Sequence, residues 1–230
     1  MNKLKISAVD ALGVLKDGDS LMVGGFGLVG SPLSLIEALL EIPVKNLTII
    51  SNNVGESGKG LGKVLLQGKI SKAIGSYFTS NRDAGDLYMK GELELEVVPQ
   101  GTLAERIRAG GAGIPAFFVP TSAGTALGKG KPSIEFEGRL CVMEKALRAD
   151  VALVRAHKAD TMGNLIFTKT MRNFNPAMAT AAKYVIAEVD EVVEVGELDP
   201  DEIIVPHMFV DAVIKAEYVL SAEGVVKVDG

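Results

Sequence analysis

The sequence predicts an α/β protein, a layered open sheet of mostly parallel strands flanked by helices. Three observations predict it. Short apolar runs of strand type alternate with segments of helical period along most of the chain. Glycine-dense loops follow the first two strand-like runs directly, at residues 24–30 and 52–60. The chain has 230 residues, 47% of them hydrophobic and 23% charged, enough to bury a sizeable core without covalent staples. No internal repeat, low-complexity tract or linker is visible, so residues 1–230 are expected to form one domain.

The elements follow in order. Residues 7–16 read as an opening helix with Ala8, Ala11, Leu12 and Leu15 on one side, closed by the turn Asp17-Gly18-Asp19. Leu21-Met22-Val23 is a strand, and Gly24-Gly25-Phe26-Gly27-Leu28-Val29-Gly30 a tight loop with four glycines in seven residues. Ser31 is the expected N-cap of the next helix and Pro32 its first residue. A strand at residues 47–50 leads into the second glycine loop, then a helix at residues 61–67. Residues 70–77 are partly strand, residues 81–90 a helix, and residues 93–98 an alternating strand. Thr102-x-x-Glu105 is a capping box, which makes Glu105 a cap partner. Gly110-Gly111-Ala112-Gly113 reads as a flexible link able to move over a site. Residues 134–140 resemble a hairpin turning at Glu137-Gly138, residues 151–154 a buried strand, residues 176–183 a helix and residues 184–189 a strand. Strand fragments at residues 203–205 and an amphipathic segment at residues 213–220 complete the pattern.

Composition narrows the function. The net charge of −5 argues against general nucleic-acid binding. No run of about 18 apolar residues is present to span a membrane. The stretch from Met1 to Ile6 leads into an amphipathic segment, unlike a signal-peptide core. Cys141 is the only cysteine, so no intrachain disulfide forms and a reducing cytoplasm is expected. Flanked by Leu140 and Val142, it reads as a packed core thiol. His157 and His207 stand 50 residues apart, no metal-ligand cluster is apparent, and His157 reads as structural or surface.

In a parallel sheet, ligands sit beyond the C-terminal strand ends. That rule brings the loops at Gly24, Asn52 and Gln100 to one edge. The first loop, with a helix start behind it, is built as a cradle for a phosphate, a carboxylate or a developing oxyanion. Its Gly25-x-Gly27-x-x-Gly30 spacing also matches the dinucleotide fingerprint. That fingerprint needs an acid at the end of the next strand, where Ser51-Asn52-Asn53 stand instead. Glu56, in the second loop, is a candidate carboxylate nucleophile against a surface reading. Lys59, Lys63, Lys69 and Lys72 are either a solvated helix face or a patch steering a polyanion. No complete catalytic set is visible.

The motifs resemble a known family. Gly24-Gly25-Phe26-x-x-x-Gly30-x-Pro32, preceded by Asp17-Gly18 and an apolar strand, resembles the signature of family I coenzyme A transferases. Ser51-Asn52-Asn53, the block from Pro99 to Gly113, Arg155-Ala156-His157-Lys158-Ala159-Asp160 and Arg172-Asn173-Phe174-Asn175 resemble that family's alpha subunit, of the 3-oxoacid or acetate–acetoacetate type.

The resemblance implies an enzyme moving coenzyme A between an acyl-CoA, such as succinyl-CoA or acetyl-CoA, and a short-chain carboxylate or 3-oxoacid such as acetoacetate. In the family, a glutamate of the beta subunit, in a Ser-Glu-Asn-Gly-like stretch, forms the glutamyl–CoA thioester. No such stretch occurs here, so no catalytic residue is expected in this chain. By resemblance, Gly24, Gly25, Phe26, Gly27, Leu28, Val29 and Gly30 bind CoA or an oxyanion, while Asn52, Asn53 and Gln100 line the acyl pocket. The implied partner is the beta subunit, in an α2β2 assembly, with no metal and no permanently bound cofactor; the CoA thioester is a substrate. The alternatives are a non-catalytic ligand-binding module of the same fold and a sugar-phosphate isomerase or deaminase.

Overall fold

A computed structural model describes residues 2–221 and 224–228; Met1, at the head of the N-terminal stretch, and four residues near the end of the 1–230 span lie outside it. Helix α1 (Ala8–Ala11) passes into a 3-10 turn, Leu12–Val14, with the Ser7 side chain accepting from the Asp10 amide. The central β-α run comprises β1 (Ser20–Val23), α2 (Leu33–Glu41), β2 (Leu47–Ile50), α3 (Leu61–Leu66), β3 (Ile70–Gly75), α4 (Arg82–Met89), β4 (Glu94–Val97) and α5 (Gln100–Gly111). Three strands then form a small antiparallel sheet, β5 (Ala116–Val119), β6 (Ser133–Phe136) and β7 (Arg139–Lys145). The main sheet resumes with β8 (Ala149–Asp160), β9 (Leu165–Ile166), α6 (Asn175–Thr180), β10 (Ala182–Val193) and β11 (Ala212–Lys215). A last hairpin pairs β12 (Tyr218–Ser221) with β13 (Gly224–Lys227).

The main sheet has the order β11-β10-β8-β1-β2-β3-β4, parallel throughout, with β9 antiparallel on β8. This is the expected fold class. The central strands β1, β2 and β8 are apolar on both faces because helices cover both, while edge strand β4 exposes Glu94. On β1, Leu21 and Val23 join the core beneath α1 to α4, and Met22 joins the opposite core with Leu103 and Ile107 of α5 and Met178 of α6. The period of two repeats on β8, where Val151 and Leu153 face one way and Ala152 and Val154 the other.

β1 lies at the centre. The chain runs outward from it to β4, then returns to build β8, β10 and β11 on its other side. The β1–β8 boundary is therefore the topological switch point, where a crevice opens at the strand ends. At its other end the boundary is clasped by Asp150, which accepts from both the amide and the hydroxyl of Ser20. Lys183, then Ser20, holds the Asp150 carboxyl well below the usual carboxylate range.

Several local expectations are corrected. The opening helix is shorter than residues 7–16, because Leu12–Val14 tightens to 3-10 geometry. The helix expected at residues 176–183 ends at Thr180, and the strand after it extends to Val193 rather than Val189. Residues 203–205 form only an isolated bridge from Val205 to Leu165. The capping box does not form: α5 starts earlier, on Pro99, and Glu105 pairs with Arg108 at 2.7 Å. Gly110 and Gly111 are no loose link. They close α5 against its neighbours, and a Cβ on Gly110 would lie 1.9 Å from the Leu147 carbonyl oxygen. The hairpin at Glu137-Gly138 forms as expected, both residues having positive φ as a two-residue type I′ turn needs.

The Gly110 contact has a measurable consequence. Gly110→Ala is expected to destabilise the chain by about 2–3 kcal/mol, since backbone rather than a flexible side chain must yield. Chemical denaturation measures it, and a change below about 0.5 kcal/mol contradicts the close packing.

Candidate active site

The first glycine loop is a small hairpin. The Phe26 and Val29 amides each donate to the other residue's carbonyl, at 2.9 and 3.2 Å, so Gly27 and Leu28 form the tip. Gly27 has φ 60°, the positive value that a type II′ turn requires at its first central position. The tip N–H groups of Gly27 and Leu28 find no partner among the described residues. Ser31 does not cap α2. Its hydroxyl turns back to the Gly27 carbonyl at 3.1 Å and braces the loop, while Pro32 takes the cap position.

The second glycine loop echoes the first. Glu56 and Lys59 pair across a turn containing Gly58, as Phe26 and Val29 pair across Gly27. The loops touch, since a Cβ on Gly60 would lie 2.8 Å from Leu28 Cδ2. Between them and the ends of β3 and β4 opens a cavity of about 480 Å³. Its lining includes Phe26, Gly27 and Leu28 from the first loop, Asn52 and Asn53 after β2, Ser76 after β3 and Gln100 at the head of α5.

The side chains of Asn52, Asn53 and Gln100 form a chain of amides. Asn53 Nδ2 donates to Asn52 Oδ1 at 3.5 Å, and Asn52 Nδ2 to Gln100 Oε1 at 2.9 Å. Asn53 Oδ1 is taken by the Gly55 amide. The acceptor oxygens are thus occupied within the chain. The Gln100 Nε2 end has no partner among the described residues and is a neutral donor available to a ligand.

Gly24, Gly25, Val29 and Gly30 are not on this cavity. Gly24 and Gly25 are held in the loop's base, where a Cβ would lie 1.8 Å from Asn175 Oδ1 and 2.3 Å from Ser31 Oγ respectively. Val29 and Gly30 face a second cavity of about 260 Å³ on the β8–β10 side, closed by Tyr218 and Leu220 of the last hairpin. The loop is therefore a wall between two spaces, with Leu28 reaching both.

The base of that wall is held by charges. Glu188, fully buried on β10, accepts from the Leu35 amide at 3.0 Å, at the start of α2. Arg155, buried on β8, donates to Glu188 and to Asp190, and Asp190 also meets His157 Nδ1 at 3.0 Å. The Arg155 amide donates to Asn175, whose Nδ2 donates to the Gly30 carbonyl at 2.9 Å. The anion expected at the helix start is thus part of the chain itself. Burial pushes the Glu188 carboxyl from its ordinary 4.5 to about 7, against the downward pull of Arg155. Glu188 is missed in the sequence and Arg155 stands there only within the family-like motif, although a charged residue inside an apolar strand run is a readable signal for each.

Other candidates separate. Glu56 sits on the cavity rim, exposed and 3.3 Å from Lys59. Lys63 pairs with Glu37, Lys69 reaches the Ile42 carbonyl, and Lys72 pairs with Glu94 and Glu96. The four lysines form no joint patch, which removes the steering reading. Cys141 is buried in β7, and His157 is a half-buried partner of Asp190. No group of three or more His, Cys, Asp or Glu placed to hold a metal occurs among the described residues. No described helix is long and apolar enough to cross a membrane.

Fold and site together define an α/β protein with a strand-end cavity of amides and backbone donors. Comparison with known proteins makes the class specific. Residues 5–216 match the Coenzyme A transferase family, and the chain belongs to it. The chain is 54% identical to the A chain of the succinyl-CoA:3-ketoacid coenzyme A transferase of Xanthomonas campestris, over 88% of this chain and 84% of that one. It is 50% identical to the A chain of the 3-oxoadipate CoA-transferase of Pseudomonas putida, over 93% and 94% of the two chains. It is 44% identical to the alpha subunit of the acetate CoA-transferase of Escherichia coli, over 90% and 94%. Among solved structures, an Escherichia coli O157:H7 acyl-CoA transferase in a thioester complex with CoA superposes with TM-score 0.85 at 23% identity. The match covers 94% of this chain and 50% of that one, so this chain spans half its length; it shows the fold alone. The enzyme class expected from the motifs, coenzyme A transfer, is the class this family defines.

Two outcomes follow from the loop's foundation. Gly24→Ala costs about 2 kcal/mol of stability, and most of that cost disappears in an Asn175→Ala background, where the added methyl meets no amide. A double-mutant denaturation cycle with coupling near zero contradicts the contact. For Glu188 the raised folded value means that its contribution to stability is fully present below about pH 4.5 and is lost as pH rises through about 7. The stability of wild type relative to Glu188→Gln should fall across that window and flatten above it; a flat profile throughout contradicts the assignment.

Proposed function

We propose that this chain is the alpha subunit of a coenzyme A transferase that exchanges CoA between an acyl-CoA, such as succinyl-CoA or acetyl-CoA, and a short-chain carboxylate or 3-oxoacid such as acetoacetate. Residues 1–230 act as one domain in the cytoplasm, and two copies join two beta subunits. The observation that carries the reading is the chain's incomplete site, a cavity of neutral donors whose one carboxylate among the described lining residues, Glu56, is exposed and paired with Lys59 rather than with a base. The sequence relatives support the division of labour, each being named as the A or alpha member of its enzyme.

In this reading a glutamate on the beta subunit's side of the interface attacks the acyl thioester carbonyl and expels the CoA thiolate, giving an acyl–glutamyl anhydride. The thiolate then attacks the glutamyl carbonyl of the anhydride, releasing the first acid and leaving the glutamyl–CoA thioester. The acceptor acid reverses both steps. Thioester energy stays in covalent intermediates, and CoA is a substrate rather than a resident cofactor. Negative charge develops on a carbonyl oxygen at each attack, and donors already held in place stabilise it without reorganising. Gln100 Nε2 and the N–H groups of Gly27 and Leu28 are the donors this chain contributes. Asn52 and Asn53 hold Gln100 in the donating orientation. Residues 24–30 form the wall that CoA passes, with Gly24, Gly25, Val29 and Gly30 shaping it and Phe26 and Leu28 giving its apolar face.

The test is co-expression with the beta subunit, followed by assay of CoA exchange. The pair should be active and this chain alone inactive. Gln100→Ala should lower kcat about a hundredfold with assembly unchanged by size-exclusion chromatography. An unchanged rate in a well-assembled complex removes Gln100 from the site, and activity of the isolated chain overturns the division of labour.

A further inference from the structure

One polar atom of the cavity has no use in this scheme. Ser76 lines the 480 Å³ cavity immediately after β3. Its Oγ is shielded from solvent and has no hydrogen-bond partner among the described residues. A buried hydroxyl without a partner is costly, and such atoms call for an explanation.

The position is also rigidly built. The amides of Ser76 and Tyr77 both donate to the Asn52 carbonyl, each at 3.1 Å. Gly75, just before, accepts from the Val98 amide at 2.8 Å, and a Cβ there would lie 2.6 Å from the Ser51 carbonyl oxygen. Asn52 therefore fixes Ser76 through its backbone and Gln100 through its side chain. The unpartnered hydroxyl is thus carried beside the cavity on a backbone fixed from Asn52.

The charge of the lining says what kind of atom the hydroxyl suits. Among the described lining residues only Glu56 carries charge, and it is an acid. The remaining polar groups are amides and hydroxyls, matched to a neutral oxygen. Phe26 and Leu28 offer an apolar surface for the short carbon chain that carries it.

Resting on the acyl-site reading above, we propose that Ser76 is a specificity-determining residue whose hydroxyl donates to a neutral oxygen on the acyl chain, a 3-oxo group, and so favours 3-oxo acids over unsubstituted acids of the same length. A site that spends a buried hydroxyl on this oxygen leaves it unpaired when the oxygen is missing.

The experiment uses the assembled enzyme of both chains with one fixed acyl-CoA donor and two acceptors, 3-oxobutanoate and butanoate. Wild type, Ser76→Ala, Ser76→Thr and Gln100→Ala are compared by kcat/KM. Ser76→Ala should lower the value for 3-oxobutanoate about tenfold, the worth of one hydrogen bond, and change butanoate less than about twofold. Ser76→Thr, which keeps a hydroxyl, should retain most of the preference. Equal losses on both acids, or no loss on either, overturn the role of Ser76 while leaving the enzyme reading intact. Gln100→Ala separates the two levels: it should lower both acids together, and no effect on either means the cavity is not the acyl site. Wild type inactive with both acids overturns this proposal, and an assembled enzyme that exchanges CoA with no short-chain acid overturns the enzyme reading as well.

Discussion

The buried pair of Arg155 and Glu188 is the interaction on which the site's geometry depends. It joins neighbouring parallel strands, β8 and β10, at the point where β8 passes the central strand. Glu188 continues to the first turn of α2, and the Arg155 amide continues through Asn175 to Gly30. Strand, helix start and loop exit are thus tied to two side chains. A carboxylate in this setting would be expensive if any tie were absent, because its partners are also its only solvation. That cost is what makes the arrangement specific: a loop in another position would strand a charge.

The glycine loop gains its stiffness from this foundation. Its base has no room for side chains, since Asn175 and Ser31 occupy the space a Cβ would need at Gly24 and Gly25. Its tip is the opposite, with Phe26 exposed and the amides of Gly27 and Leu28 unpaired among the described residues. The glycines therefore do two jobs within one motif. Those at the base admit close packing, and the one at Gly27 permits the positive φ that turns the tip toward the cavity. The second glycine loop repeats the plan at the next strand, so the cavity is flanked by the tip of the first hairpin, by Gly55 and Glu56 at the foot of the second, and by the amide chain.

Much of this was legible in the sequence where the cause is local. Period-two and helical patterns placed the strands and helices of the parallel sheet, and the strand-end rule brought Asn52, Asn53 and Gln100 to one edge. Glu137-Gly138 announced its turn by chemistry alone. The misses have a common physical origin. Ser31 has the right residue type for an N-cap, yet its hydroxyl is claimed by the loop, and the helix start is satisfied by Glu188, 153 residues away from Leu35. Thr102 and Glu105 have capping-box spacing, but Pro99 starts α5 sooner. The lysines from Lys59 to Lys72 look like a patch until their separate partners are seen, three acids and the Ile42 carbonyl. Ser76 carries no pattern at all, because an unpartnered hydroxyl is defined by what surrounds it.

The placement of β1 has a consequence for how the chain reaches this state. The cavity lining runs only from Phe26 to Gln100, yet β1 is flanked by β2 on one side and by β8 on the other, with Leu21 in register with both Ile49 and Val151. While the first hundred or so residues emerge from a ribosome, the central strand keeps one edge unpaired, an apolar edge of the kind that invites pairing with other chains. The clasp from Ser20 to Asp150 spans 130 residues of chain and closes only when β8 arrives. Contacts so distant in sequence make assembly slow relative to helical proteins. A fragment ending after α5 would hold the cavity-lining residues and lack the strand that seals the sheet behind them, making it a client for chaperones rather than half of a working site.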